Sequence, residues 1–174
     1  MSTTEEMSSN ESLIGRADIN DLEAILAVTN TDRDEVIHAV ADNADVALEV
    51  IAVPALSVLA GREAGAAIAS RPPELRPDAI FAANDLIAMG LLQALMMHNG
   101  AVIEVPDEIA LIGYDDIDFA SAAVVPLSSI RQPSALIGQT AVEILIEESA
   151  DPSLAPRQIV FQPELVVRES TALA

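Results

Sequence analysis

The feature that most constrains the fold is a regular alternation of short apolar runs with longer segments of helical periodicity. The runs are typical of buried strands, and the segments between them place Val, Leu and Ile three and four residues apart. Strands that alternate with helices in this way form a parallel sheet through right-handed crossovers, with helices on both faces. We therefore predict an open α/β fold with strands at 22–28, 48–55, 79–83, 108–114 and 127–132, helices at 33–43, 56–70, 84–100 and 134–149, and a closing pair of short strands within 157–170.

The hydrophobic composition agrees with this fold. Hydrophobic residues make up 51% of the 174 residues, yet there are only one Tyr and three Phe. The core must then consist of Leu, Ile, Val and Ala, which is usual for parallel strands buried on both faces. Residues 1–20 are instead polar, acidic and rich in Ser and Thr, so we predict a disordered acidic tail there and one domain over 21–174.

The charge of the chain disfavours several classes of partner. The formal net charge is −20, and the eight basic residues are all arginine. Such a chain repels nucleic-acid backbones and anionic membranes, because both are negatively charged. The N-terminal segment lacks the apolar run of a signal peptide, and no run reaches the roughly 18 apolar residues of a membrane helix. We expect a cytoplasmic protein.

Motifs for metal, thiol and nucleotide chemistry are missing from the sequence. Cysteine is absent, and neither His38 nor His98 has a metal ligand at a suitable spacing. The segment GREAG at 61–65 suits close helix packing better than phosphate binding. We therefore expect no metal, no cofactor and no enzymatic activity.

Several polar residues fall at the predicted carboxyl ends of the strands, where ligands bind in open α/β sheets. Carboxylates accept hydroxyl protons, a guanidinium group donates in a fork, and an amide does both, so this set suits a ligand with many hydroxyl groups. The residues are Arg33, Asn84, Asp115, Asp116 and Gln132.

Other interpretations of the same residues stay open. Asn84 and Asp85 also suit helix caps, and Asp115 and Asp116 suit a simple turn. Paired carboxylates can act as general acid and base. A magnesium site on Asp115, Asp116 and Asp118 is a further alternative.

Four ordered stretches strongly resemble the effector-binding core of regulators of the lactose-repressor (LacI/GalR) type. The resemblance covers residues 48–172 well and extends more weakly to about residue 22. It implies a periplasmic-binding-protein-like fold, specifically the C-terminal part of the effector-binding domain. The stretches are RPDAIFAANDLIAMGLLQAL, VPDEIALIGYDDIDFA, PLSSIRQP and PELVVREST.

The resemblance also implies roles for single residues. Asn84 and Asp115 match the amide and carboxylate that contact the effector, and Arg33 matches its arginine. Gln132 matches a residue where the chain crosses over beside the pocket, and Leu56 stands where an aromatic ring often stacks on a sugar.

The family resemblance further implies a dimer and a missing half. Met89, Leu92 and Phe119 match its dimer-forming surface, although a core position is an open alternative for each, and we expect a homodimer. The chain is expected to lack the helix-turn-helix headpiece and the first subdomain, so DNA contact would need a headpiece that this chain does not contain. Segment 129–150 would then cross to an absent subdomain, leaving an apolar face uncovered at Leu136, Ile137, Val142, Ile144 and Leu145.

Three functions follow as competing hypotheses. The first is a sugar-sensing domain of a transcriptional regulator. The second is a dimerisation or decoy partner of an intact repressor, or a truncated regulator without function. The third, an enzyme that uses Asp115 and Asp116, is disfavoured because no nucleophile or metal motif accompanies them.

Overall fold

The computed structural model describes residues 49–97 and 102–171. The predicted tail, the strand at 22–28, the helix at 33–43 and the candidate site residue Arg33 lie outside the described residues. Within them, four strands form one sheet in sequence order: β1 (Ala79–Phe81), β2 (Ala110–Tyr114), β3 (Ser128–Arg131) and β4 (Glu164–Val166). β1, β2 and β3 are parallel, whereas β4 pairs antiparallel with β3. The predicted α/β fold is confirmed, with an antiparallel strand at one edge.

The predicted helices at 56–70, 84–100 and 134–149 form with small shifts at their ends, as α1 (Val58–Ala69), α2 (Asp85–Met97) and α4 (Ser134–Ala150). A short helix that was not predicted, α3 (Asp118–Ser121), follows β2, and a 3₁₀ turn lies at Pro73–Leu75. Ser57 begins α1, because its side chain accepts a hydrogen bond from the Ala60 amide at 3.3 Å. Along the chain, α2 lies between β1 and β2, as a crossover between parallel strands requires.

Helices α1 and α2 approach each other closely enough to bring their backbones into contact. A Cβ atom added at Gly61 would lie 2.2 Å from the Ile87 carbonyl oxygen. One added at Gly90 would lie 2.1 Å from the Val58 carbonyl oxygen. The small residues of GREAG therefore serve close helix packing.

Each face of the sheet carries its own apolar cluster. Leu111 of β2 packs with Leu91 and Leu95 of α2 in the main core, which also includes Ile68 of α1. The opposite face holds a smaller cluster in which Ile112 and Ile130 are buried, with Tyr114 and Leu165 packed against them. Adjacent residues of β2 thus point to different cores, as the alternation along a strand dictates.

Two predicted strands are wrong. Residues 49–57 have no regular secondary structure, and Val50 and Ile51 are exposed. Among the described residues, no strand pairs with the outer side of β1, and Pro54 has no amide to donate. The predicted pair within 157–170 contains only β4, since residues 157–163 are irregular and Val160 is exposed.

Helix α4 is poorly covered. None of its residues is buried, and Leu136, Val142 and Leu145 are exposed, while Ile137 and Ile144 are half-buried. This matches the expectation of an uncovered apolar face. Within the described ranges, no helix combines the length and apolar character needed to span a membrane.

Candidate functional site

The structure brings two of the predicted site residues into direct contact at the carboxyl end of the sheet. Asp115 follows β2 and Gln132 follows β3. The Gln132 side chain donates a hydrogen bond from Nε2 to Asp115 Oδ1 at 3.0 Å, and the Asp115 side chain is exposed. The pair therefore presents an anionic acceptor and an amide to the solvent.

Asn84 forms a second contact at this end of the molecule. Its Oδ1 accepts a hydrogen bond from the Ile87 amide at 2.9 Å, so it caps the start of α2. Its Nδ2 donates to the Leu56 carbonyl oxygen at 3.5 Å, a long hydrogen bond to another predicted site residue. The cap interpretation is thus correct for the amide oxygen, and the Leu56 side chain remains exposed.

Asp85 connects the Asn84 side of the site to the loop after β2. Its side chain is fully buried, and Oδ2 accepts from the Ile117 amide at 2.8 Å. Oδ1 accepts from Ser129 Oγ at 2.6 Å, and the same hydroxyl oxygen accepts from the Asp116 amide at 3.0 Å. Asp85, the residue next to Asn84, therefore holds two successive amides of the loop. It binds the Ile117 amide directly and the Asp116 amide through the Ser129 hydroxyl.

Space for the Asp85 carboxylate comes from Gly113. A Cβ atom at position 113 would lie 2.1 Å from Asp85 Oδ1. Burial raises the pKa of Asp85, the hydrogen bonds from Ser129 and Ile117 oppose that rise, and the charges of Asp115 and Asp116 add to it.

Asp116 faces away from solvent and pairs with two arginines. Its side chain is only 5% exposed, and Oδ2 lies 2.6 Å from Arg131 Nη2. Oδ1 lies 2.7 Å from Arg168 Nη1. Burial acts to raise the pKa of Asp116, but the guanidinium groups of Arg168 and Arg131 in contact with the carboxylate outweigh it, so the pKa is lowered. The Asp116 carboxylate therefore connects the loop after β2 to Arg131 of β3 and to Arg168 after β4. Its two arginine partners disfavour the magnesium and acid–base interpretations.

The backbone of the loop is unusual for two consecutive non-glycine residues. Asp115 has a φ of 102° and Asp116 a φ of 52°. Positive φ is unfavourable for residues with a Cβ atom and persists only where surrounding contacts enforce it. Here the amide hydrogen bonds to Ile130, Ser129 and Asp85 supply that constraint.

The predicted dimer residues fall into three different environments. Leu92 is only 4% exposed and packs in the main core, so its assignment to a surface is wrong. Met89 is half-buried, whereas Phe119 is 65% exposed. Eight of the 13 residues of α2 are buried, so helical periodicity alone does not separate its core positions from a surface stripe. A role for Phe119 in a dimer stays a prediction.

Sequence reasoning missed the residues that hold the site in place. Most of them are distant in sequence from the loop that they support, and no short motif signals such contacts. The closest signal is that Ser129 and Arg168 lie within the stretches PLSSIRQP and PELVVREST. The missed residues are Gly113, Ser129, Arg131 and Arg168, whereas Asp85 and Asp116 were named but were not assigned this supporting role.

Comparison with known proteins identifies the fold family. A family model described as a periplasmic binding protein-like domain matches residues 23–171. The chain belongs to this family. A periplasmic binding protein-like domain is the fold that the resemblance to LacI-type regulators implied, and its first matched residue lies well before the described part of the chain.

Relatives of this periplasmic binding protein-like domain are transcriptional repressors. It is 44% identical over 95 residues to the repressor PurR of Photobacterium profundum and 42% identical over 96 residues to the ribose operon repressor of Escherichia coli. Each match covers 55% of this chain and 28% of the relative, so the chain spans less than a third of either relative's length.

A solved structure gives the same result. A LacI-family transcriptional regulator from Lactobacillus casei with bound sucrose aligns with a TM-score of 0.56 and 32% identity, over 66% of this chain and 40% of that protein. The predicted resemblance to the C-terminal part of LacI-type effector-binding domains is therefore confirmed.

The described residues offer hydrogen-bonding groups rather than a metal centre. Over residues 49–97 and 102–171, no group of three or more acidic or histidine side chains could hold a metal ion. What the carboxyl end of the sheet presents is an exposed carboxylate, two amides and a nearby apolar side chain. These groups suit recognition of a neutral, hydroxyl-rich ligand.

Proposed function

We propose that this chain is the small-molecule sensing part of a LacI-type transcriptional regulator and that it binds a sugar at the carboxyl end of the sheet. The observation that carries the proposal is the hydrogen-bonded pair of Asp115 and Gln132. The carboxylate accepts hydroxyl protons, and the amide both donates and accepts, so adjacent hydroxyls of one ring satisfy both. The sucrose bound by the Lactobacillus casei relative is a ligand of this class.

The neighbouring residues complete the proposed site. Asn84 offers its amide nitrogen, which makes only a long hydrogen bond to Leu56, and the exposed Leu56 side chain supplies apolar contact. Arg33 is proposed as the cationic donor on the basis of the family resemblance. The constrained loop at Asp115 favours binding because little conformational freedom is lost when the sugar arrives.

In a complete regulator, the sugar would act by favouring one of two conformations with different affinities for DNA. Sugar binding by this chain is thus the sensing step. Any contact with DNA requires a positively charged surface. The net charge of −20 disfavours such contact by this polypeptide itself.

Isothermal titration calorimetry with glucose, ribose and sucrose tests the proposal. We expect one of the three to bind, and Asp115→Asn to weaken that binding about 10- to 100-fold, because a hydrogen bond to a charged group contributes about 1.5–3 kcal/mol. Asp107→Asn is the matched control, since Asp107 is an exposed aspartate in the turn before β2. Absence of heat with every sugar, from a folded chain, would contradict sugar sensing.

A homodimer is the second proposed property. The exposed apolar residues of α4 favour self-association, since apolar patches of this kind usually mark interaction surfaces. Analytical ultracentrifugation measures the oligomeric state directly. A strictly monomeric chain at high protein concentration and high salt would argue against this property.

A further inference from the structure

The loop that presents Asp115 is held by a short chain of hydrogen bonds that begins at α2. Asp85 is the first residue of that helix, and its side chain is fully buried. The Asp85 carboxylate accepts from the Ile117 amide at 2.8 Å and from the Ser129 hydroxyl at 2.6 Å. That hydroxyl oxygen in turn accepts from the Asp116 amide at 3.0 Å. The two amides that follow Asp115 are therefore both tied to one buried carboxylate.

The loop needs this support because its backbone conformation is unfavourable by itself. Asp115 and Asp116 both have positive φ, at 102° and 52°, and neither is glycine. A loop of this kind that loses the hydrogen bonds to its amides gains alternative conformations with negative φ. A change of φ at Asp115 would move its carboxylate relative to Gln132, with which it pairs at 3.0 Å.

The same carboxylate connects the loop to the Asn84 side of the site. Asn84 caps α2 and Asp85 directly follows it, so both belong to the start of one helix. Gly113 leaves room for this connection, since a Cβ atom there would lie 2.1 Å from Asp85 Oδ1. The contact fixes the Asp115 loop relative to Asn84, as recognition of a sugar ring requires, because the hydroxyls of the ring stand at fixed positions.

We propose that Asp85 and Ser129 are positioning residues of the sugar site: they hold the 115–117 loop so that the Asp115 carboxylate stays in its binding position. The inference rests on the proposed sugar site and adds to it a buried pair that sets its affinity. Both side chains are fully buried, so neither reaches a ligand at the surface. Their effect on binding must therefore pass through the loop.

Two buried serines provide a matched pair of variants. Ser170 resembles Ser129, because each hydroxyl is fully buried, accepts from one backbone amide and donates to one oxygen atom. Ser170 bonds to Leu111 and Ser128, near the start of β2 and β3 and thus at the opposite end of these strands from Asp115. Ser129→Ala and Ser170→Ala therefore remove the same group at the two ends of the sheet.

Calorimetry measures the effect with whichever of glucose, ribose and sucrose the wild type binds, at a temperature at which every variant is folded. We expect Ser129→Ala to weaken binding about 3- to 10-fold, because a freed loop must be ordered again when the sugar arrives. Ser170→Ala should change the affinity by less than about twofold, although it also loses buried hydrogen bonds. Asp85→Asn is a second variant that should weaken binding, since it keeps the shape but offers one acceptor oxygen where two are used.

Combination with Asp115→Asn distinguishes positioning from a general loss of stability. If Ser129 acts through the Asp115 carboxylate, Ser129→Ala should weaken binding by less than about twofold once that carboxylate is gone. Amide hydrogen exchange supplies a measurement without sugar. The Asp116 amide should exchange about tenfold faster in Ser129→Ala than in Ser170→Ala, because only the first variant removes its acceptor.

The outcomes separate this inference from the sugar site. If sugar binds but Ser129→Ala leaves the affinity unchanged, the positioning role is overturned and the sugar site stands. The same holds if Ser129→Ala weakens binding as strongly in the Asp115→Asn protein as in the wild type. Equal exchange of the Asp116 amide in the two serine variants also overturns the positioning role. If the wild type binds no sugar, both proposals fail.

Discussion

Asp115 and Asp116 are neighbours in the chain, but their carboxylates meet different surroundings. Asp115 is exposed and accepts a hydrogen bond from the neutral amide of Gln132. Asp116 is buried between the guanidinium groups of Arg131 and Arg168. Alternation after the strand and the positive φ of both residues separate the two side chains, so one carboxylate is available to a ligand and the other stabilises the loop.

Replacing Asp116 with Asn should destabilise the fold. The variant leaves Arg168, whose side chain is only 17% exposed, without its charged partner. Breaking a buried ion pair on one side costs about 3–5 kcal/mol, and the partial exposure of Arg131 reduces this to about 3 kcal/mol. Urea denaturation at pH 7 measures the change in the free energy of unfolding. Asp107→Asn should change it by less than about 0.5 kcal/mol.

A separate prediction concerns how the unfolding free energies of the wild type and of Asp116→Asn depend on pH. Burial acts to raise the pKa of Asp116 in the folded state, but the guanidinium groups of Arg168 and Arg131 in contact with the carboxylate outweigh it and lower the pKa. Its stabilising contribution is therefore fully present above the ordinary aspartate value of 3.8 and is lost as the pH falls through the lowered folded value. The difference in unfolding free energy between wild type and Asp116→Asn should shrink below pH 4. A difference that grew on acidification would contradict the ion-pair assignment.

Among the elements of the fold, the contact between α1 and α2 depends on three glycines, Gly61, Gly65 and Gly90. An alanine Cβ at Gly90 would lie 2.1 Å from the Val58 carbonyl oxygen, which belongs to backbone and cannot turn aside. Gly90→Ala should therefore push the helices apart and lower the free energy of unfolding by about 2–3 kcal/mol, despite the better helix propensity of alanine.

Gly138 in α4 offers the matched control for this substitution. A Cβ atom there would meet nothing within 4 Å. Gly138→Ala should leave stability unchanged or raise it by up to about 1 kcal/mol. Thermal denaturation of both variants compares them directly, and equal effects would show that helix propensity, rather than the close approach of α1 and α2, governs the cost at position 90.

The elements also show what the sequence can predict and where it stops. The helical patterns of α1, α2 and α4 are local, so their positions were predicted within a few residues. The apolar run at 48–55 has the composition of a strand, but a strand also needs a hydrogen-bonding neighbour, and composition says nothing about that. The sequence placed Asp115 and Gln132 at one edge of the sheet, yet it could not predict that Arg168 reaches Asp116, because that contact depends on the antiparallel return of β4.

The whole molecule combines a strong negative charge with an uncovered apolar helix. The net charge of −20 repels a second copy over a distance set by the ionic strength, about 10 Å at 0.1 M salt and 3 Å at 1 M. The apolar residues of α4 act only at contact, and sodium chloride does not screen the hydrophobic attraction between them. The two effects therefore respond differently to salt.

Self-association should for this reason increase with salt. We expect the weight-average mass from sedimentation equilibrium to rise between 20 mM and 500 mM sodium chloride, since screening removes the repulsion while apolar contact remains. Leu145→Ser should reduce the association, because Leu145 is 65% exposed on α4, and Leu75→Ser should not, although Leu75 is 55% exposed on the 3₁₀ turn. Phe119→Ser distinguishes the alternative surface near α2. If it abolished association while Leu145→Ser had no effect, copies would meet through the α2–α3 side, and α4 would not be the contact.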